Sequence, residues 1–323
     1  MSTTVEPHIV SIDEIRLAAE RIRGVATRTP LLRWDDMTWL KPESLQPVGA
    51  FKTRGAYNKI ASLTDVERGR RVVTYSSGNH AQAVARAARL LGAHAVICMP
   101  RDAPRVKIEG VERDGAEIAF TGMDPQERHE LALSLVEERG LVMVEPYDDP
   151  AIIAGQGTCA LEIVEDLPDV TSVLVPTSGG GLSAGVATAV KALAPSARVI
   201  GVEPELAADA KESLERGELV TWTAEQTGRT MADGLRTNSL GLLPFEHLRR
   251  FMDGIVTVAE DEMAEAMRQL ARRARLVVEP SGAAAMGAHL AGRPERTDGD
   301  DARVIIISGG NVDAELYLRI LAS

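Results

Sequence analysis

From Arg71 to the carboxyl end, short apolar runs rich in Val and Ile alternate with longer stretches in which apolar residues recur every three or four positions. That alternation predicts parallel strands joined by crossover helices. The first series has candidate strands "RVVTYS", "HAVICM", "AEIAFT" and "LVMVEP", with helices such as "HAQAVARAARLLG" and "PQERHELALSLVEERG" between them, and it ends near Tyr147. The second has "SVLVP", "RVIGVE", "GIVTV" and "RVIIIS", separated by helices that include "LSAGVATAVKALA" and "DEMAEAMRQLARRARL". These strands are apolar almost throughout, as expected where helices cover both faces of a parallel sheet. Ahead of both series, "SIDEIRLAAERIRGV" predicts a helix capped by Ser11, with Glu14 at the capping-box position. The expectation is an α/β protein of parallel-rich sheets flanked by helices, with a small domain over 71–147 and a large one made of 1–70 and 148–323. The charged stretch "GRPERTDGDDAR" at 292–303 reads as a surface loop, and nothing past the last helical pattern predicts a separate regulatory domain.

The length of 323 residues fits about two domains. A formal net charge of -11 and a pI near 5.2 argue against holding nucleic acid or an anionic membrane by bulk electrostatics. Cys98 and Cys159 lie in apolar or small-residue segments without metal-ligand spacing, which predicts buried thiols in a reducing compartment. The amino terminus has neither a charged-then-apolar leader nor an Arg-rich presequence, and no window reaches the roughly 18 apolar residues of a membrane span. A soluble, cytoplasmic protein is expected.

Against that background Lys52 stands out, set among small and apolar neighbours in "GAFKTRGA". A lone lysine is ordinarily a surface residue with its ammonium in water. A desolvated one is freed as a nucleophile or base. The run "TSGGGLSAG", with Gly179, Gly180 and Gly181 between a strand and a helix, has the form of a phosphate cradle, although a tight turn packed on a helix would read the same way. It lacks the Gly-Lys-Ser/Thr ending of a nucleotide-hydrolysing loop. Gly179, Gly181 and Ala184 also satisfy G-x-G-x-x-A, and Glu203 closes the next strand 24 positions after Gly179, so an NAD-dependent oxidoreductase stays open. Two further polar turns, Ser76-Ser77-Gly78-Asn79-His80 and Ser308-Gly309-Gly310-Asn311, follow strands at the edge where α/β proteins place ligands, and simple capping would account for both. With Lys52 they make up what is needed to hold a phosphorylated aldehyde as a Schiff base.

In order along the chain, "GAFKTRGA", "SSGNHAQA", "IIAGQGT", "SGGGLSAG", "VEPSGAAA" and "SGGN" resemble the motifs of fold-type II (tryptophan synthase β-like) pyridoxal phosphate enzymes, specifically the serine/threonine dehydratase and serine racemase group. The resemblance covers nearly the whole chain. It implies that Lys52 carries the cofactor, that Ser178, Gly179, Gly180, Gly181 and Leu182 hold its phosphate, and that Phe51, Asn79, Gly234 and Ser308 meet its ring. Ser76, Ser77, Asn79 and His80 would hold the substrate carboxylate, with Lys52 and Ser77 catalytic. Glu203, Ala207 and Asp209 match the spacing of a divalent-cation site for magnesium or calcium; a solvated acidic loop is the other reading of those residues. The reaction implied is removal of water from L-threonine or L-serine to give a 2-oxo acid and ammonia. Serine at position 77 is typical of racemases and 3-hydroxyaspartate dehydratases, so both remain alternatives. A homodimer is implied, with the small domain closing over an amino-acid substrate. Two departures stand out: "PLLRWDDMTWLK" is shorter than in relatives, and only Arg128 and His129 offer themselves for a second substrate carboxylate.

Overall fold

The computed structural model describes residues 7–76, 78–101, 103, 105–122, 125–297 and 302–323. Helix α1 (Ile12–Arg21) begins at Ser11, whose hydroxyl accepts the Glu14 N–H while the Glu14 carboxylate accepts the Ser11 N–H at 2.8 Å, so the capping box is formed. Strands β1 (Leu32–Asp35) and β2 (Thr38–Pro42) make an antiparallel hairpin from the stretch that carried no predicted strand. Its turn is held by the Asp35 carboxylate, which accepts the Met37 N–H at 2.9 Å. The chain continues through α2 (Lys52–Ser62), α3 (Asp65–Gly69), β3 (Val72–Tyr75), α4 (Asn79–Leu90), β4 (Ala95–Pro100), α5 (Arg105–Arg113), β5 (Glu117–Thr121), α6 (Pro125–Arg139) and β6 (Val142–Met143). Then follow α7 (Pro150–Asp166), β7 (Ser172–Pro176), α8 (Gly181–Leu193), β8 (Arg198–Pro204), α9 (Asp209–Arg216), α10 (Ala224–Thr227) and α11 (Leu242–Phe251). The last elements are β9 (Gly254–Val258), α12 (Glu260–Gln269), α13 (Pro280–Leu290), β10 (Arg303–Ile307) and α14 (Ala314–Ala322).

Two sheets result. Six strands run in the order β1-β2-β10-β7-β8-β9, parallel except for the edge hairpin, and four parallel strands run in the order β5-β4-β3-β6. Apolar side chains cover both faces of each sheet: α1, α7, α8 and α11 on one side of the larger, α12, α13 and α14 on the other, α4 and α6 on opposite sides of the smaller. The predicted strand "LVMVEP" shortens to two residues because Pro146 has no N–H for the ladder. The helix predicted from "DEMAEAMRQLARRARL" ends at Gln269 and passes into a wider turn at Leu270–Ala274, closed by Arg275 at φ 62.

Helix α2 lies between the two layers, against α7 on one side and α4 on the other. It meets α7 backbone to backbone: a Cβ on Gly155 would strike the main chain of Arg54 and Gly55. Two residues beyond Lys52 the same helix is anchored by a buried ionic cluster. Arg54 grips Glu43 with Nε and Nη2, both at 2.8 Å, and Glu162 at 2.7 and 2.8 Å; Lys41 completes the set at 2.5 Å from Glu162. Although burial opposes it, the Arg54 charge and hydrogen bonds hold the Glu43 carboxyl below the usual carboxylate range.

Candidate active site

Lys52 opens α2, and the segment leading to it is fastened to the end of β10. The Phe51 N–H donates to the Ser308 carbonyl at 3.1 Å, Ala50 bridges Gly309, and the Gly310 N–H donates to the Gly49 carbonyl at 2.8 Å. The Lys52 amine donates to the Pro146 carbonyl at 2.6 Å, and among the described residues no carboxylate pairs with it. Burial, with nothing to offset it, pulls its pKa down to about 8. Its Nζ stands 5.2 Å from the centre of the Phe51 ring.

Asn79 is the first residue of α4, where the N–H groups of Asn79, His80 and Ala81 have no acceptor within the helix. Its amide donates to Glu279 Oε1 at 2.6 Å and its oxygen accepts from Asn311 Nδ2 at 2.8 Å. Glu279 is buried just before α13, and burial together with the Asp233 charge pushes its carboxyl up to about 7. His80 turns its ring inward: Nε2 meets the Val144 carbonyl at 3.1 Å, and burial and the Lys52 charge lower its pKa to about 3, so it is neutral. The group that His80 leaves for a carboxylate is therefore its backbone N–H. The Ser76 hydroxyl accepts the Gly78 N–H at 3.3 Å. Ser77 lies outside the described residues.

The glycine loop stands on the other side of the Pro146–Tyr147 segment. Gly180 adopts φ 91, which a side chain would strain, and α8 starts at Gly181 with its first N–H groups free of intrahelical acceptors. Tyr147 packs on Gly179 and Gly181, and a Cβ on Gly179 would collide with its ring. Ser178 Oγ is 2.5 Å from Thr237 Oγ1, Leu182 is buried, and the Gly234 N–H donates to Ser281 Oγ at 2.9 Å. Ser308, at the end of β10, is buried. A lysine with a lowered pKa and a glycine-lined helix start fit an aldehyde and a phosphate respectively.

Glu203, next to last in β8, is buried, its carboxylate accepting the N–H groups of Ala210 at 3.1 Å and Lys211 at 2.8 Å. Its oxygens are thus taken up by the first turn of α9, which is not how the ribose ligand of a dinucleotide fingerprint would be placed. Both oxygens of Asp209 are buried without a hydrogen-bond partner, and Ala207 is buried beside them. Burial pushes Asp209 up to about 7; burial and the Asp209 charge raise Glu203 as well. No group of three or more His, Cys, Asp or Glu side chains suited to a metal occurs among the described residues.

Sequence reasoning did not single out Pro146, Tyr147 or Glu279, and it named Asn311 only as the end of a polar turn. A backbone carbonyl leaves no signature in sequence. The one signal for Glu279 is a carboxylate inside the otherwise uncharged "VVEPSGAAA".

A profile of the family described as pyridoxal-phosphate dependent enzyme matches residues 22–309. An L-threonine ammonia-lyase of Thermotoga maritima is 41% identical over 97% of this chain and 78% of its own. A serine racemase of Schizosaccharomyces pombe is 37% identical over 96% of this chain and 97% of its own. The structure of maize serine racemase superposes with a TM-score of 0.91 at 37% identity, covering 98% of both chains. With the lysine, the glycine loop and the strand-end turns arranged as above, the chain belongs to the pyridoxal-phosphate dependent enzyme family.

Proposed function

We propose that this enzyme is an ammonia-lyase that converts L-threonine or L-serine to a 2-oxo acid and ammonia. The observation that carries the reading is the Lys52 amine, desolvated, unpaired with any carboxylate among the described residues and tuned to about 8. Pyridoxal phosphate would be held by Lys52 and by the N–H groups at the start of α8, and when bound it supplies the electron sink for charge left at the substrate Cα. The free N–H groups at the start of α4 suit the substrate carboxylate. Lys52 is then the base in reach of the Cα proton. The β-hydroxyl leaves as water, and a water is taken up again when the released enamine is hydrolysed, so L-threonine gives 2-oxobutanoate and ammonia.

The test is the visible spectrum of the purified protein before and after L-threonine, with 2-oxo acid followed in parallel. A coloured protein whose band shifts while 2-oxo acid accumulates supports the reading; a protein that stays colourless after incubation with pyridoxal phosphate sinks it. The similarity to serine racemases favours a second reaction at the same site, with Ser77 returning a proton on the face opposite Lys52. Ser77→Ala is expected to lose D-serine formation in a chiral assay while elimination survives; unchanged racemisation counts against that role.

Three features complete the proposal. Residues 71–147 act as a small domain closing over the substrate, the chains pair as homodimers in the cytoplasm, and a magnesium or calcium ion sits at Glu203, the Ala207 carbonyl and Asp209. Support for the ion comes from the two unpartnered oxygens of Asp209, hard ligands left without a counter-charge. A melting temperature insensitive to both cations would remove it.

A further inference from the structure

At the carboxyl edge of the smaller sheet, one residue before the carbonyl that meets Lys52, stands a cluster whose chemistry the proposed reaction does not use. Tyr75 is the last residue of β3, directly before Ser76, and Glu145 directly precedes Pro146, whose carbonyl meets Lys52. β3 and β6 are hydrogen-bonded neighbours, so both residues stand at the same carboxyl edge of the smaller sheet. The Tyr75 hydroxyl donates to Glu145 Oε2 at 2.6 Å, and the Tyr75 ring lies 4.5 Å, centre to centre, from that of His129 on α6. Tyr75 shares with Val73 and Met143 the face that packs on α6, whereas α4, whose first turn carries Asn79 and His80, covers the opposite face. Burial, reinforced by the charges of Asp148 and Asp149 and opposed by the Tyr75 hydroxyl and His129, holds the Glu145 carboxyl above its usual range.

We propose, resting on the ammonia-lyase reading, that Tyr75, Glu145 and His129 form the wall met by the substrate's β-substituent, and that Glu145 makes the site select neutral β-hydroxy amino acids over dicarboxylic ones such as 3-hydroxyaspartate. A second substrate carboxylate would be set against the Glu145 carboxyl group in a partly desolvated cleft, where like charges repel far more than in water. The methyl of threonine, or the hydrogen of serine, meets the Tyr75 ring instead. Arg128, one position before His129, is the cation that would act in the opposite sense, and the experiment sets the two against each other.

The measurement is kcat/KM of the holoenzyme for L-threonine and for L-threo-3-hydroxyaspartate. The wild type is expected to favour threonine at least tenfold. Glu145→Gln, nearly isosteric and still able to accept from Tyr75, is expected to lower that ratio at least tenfold, or about 1.4 kcal/mol. The ratio is internal to each protein, so a general loss of activity cancels. A ratio unchanged in Glu145→Gln, or a wild type that favours the dicarboxylate, overturns the proposal. Should the variant not fold, succinate and butanoate are compared as inhibitors of the wild type: butanoate at least tenfold stronger supports the wall, and equal or stronger inhibition by succinate overturns it. A wild type that turns over neither class overturns the ammonia-lyase reading alone. The wall is then decided by calorimetric affinity for L-threonine against L-aspartate, a preference for aspartate overturning it.

Discussion

The buried ionic regions of this molecule are built on two opposite principles. Around Arg54, two cations face two carboxylates, and Arg54 donates to Glu43, Glu162, Thr158 and the Thr27 carbonyl. At Lys52 and again at Glu203–Asp209, the buried charges have no opposite partner in the described residues: one amine has a lone carbonyl, and one carboxyl group has nothing. Compensated charge still costs desolvation, which its partners offset, and losing one partner is what destabilises it. Uncompensated charge is paid for in shifted pKa values, and it stays chemically available.

The two kinds of charge differ most at Lys52. Lys52→Ala is expected to abolish turnover by about 10⁴-fold or more while leaving the melting temperature unchanged or raised, since it removes an unpaired buried charge. A coupled 2-oxo acid assay beside a thermal melt checks this; a large drop in melting temperature would put Lys52 with Arg54. Arg54→Met should do the reverse, costing about 3–5 kcal/mol in denaturant unfolding because Glu43 and Glu162 lose their cation. A variant that unfolds at the wild-type midpoint would show that the cluster contributes nothing.

The unpaired amine also makes cofactor uptake depend on pH. With the Lys52 pKa lowered to about 8, uptake of pyridoxal phosphate by the apoprotein should quicken about tenfold per pH unit below that value and level off above it, as the neutral amine comes to predominate. A level profile from pH 6 to 8 would mean that the amine is not the group being titrated. The fourth and smallest effect concerns Asp209, whose folded pKa of about 7 lies above its ordinary 3.8. The folded chain then binds the extra proton between those values, so in chelator its stability should fall as pH rises from about 4 to about 7. Asp209→Asn is expected to flatten that slope and to gain on the order of 1 kcal/mol at neutral pH in chelator. An unchanged slope would show that Asp209 does not carry it.

Much of this arrangement could be read from the chain. The β3-to-α4 turn with Asn79 and the β7-to-α8 glycine loop sit where the alternation of apolar runs predicts them, because a parallel sheet puts every strand-to-helix turn at one edge. The β1–β2 hairpin escaped because its strands are short and interrupted by charge, with a register shift between Arg33 and Asp35. The Arg54 cluster joins residues more than a hundred positions apart, and no local pattern announces such a pairing. His80 looked like a polar ligand and is a buried neutral ring; its neighbourhood of alanines on α4 was the available sign.

The contact between Gly155 and the backbone of α2 bears on how this enzyme could be engineered. Glycine is a poor helix former, and at an open position replacing it with alanine adds up to about 1 kcal/mol of helix stability. Here the same change would wedge α7 away from Arg54 and Gly55, and α2 would carry Lys52 with it. A programme that raises thermostability by filling helices with alanine should therefore leave this position alone: a residue with a weak claim to a place in a helix is the spacer that sets how far Lys52 can reach.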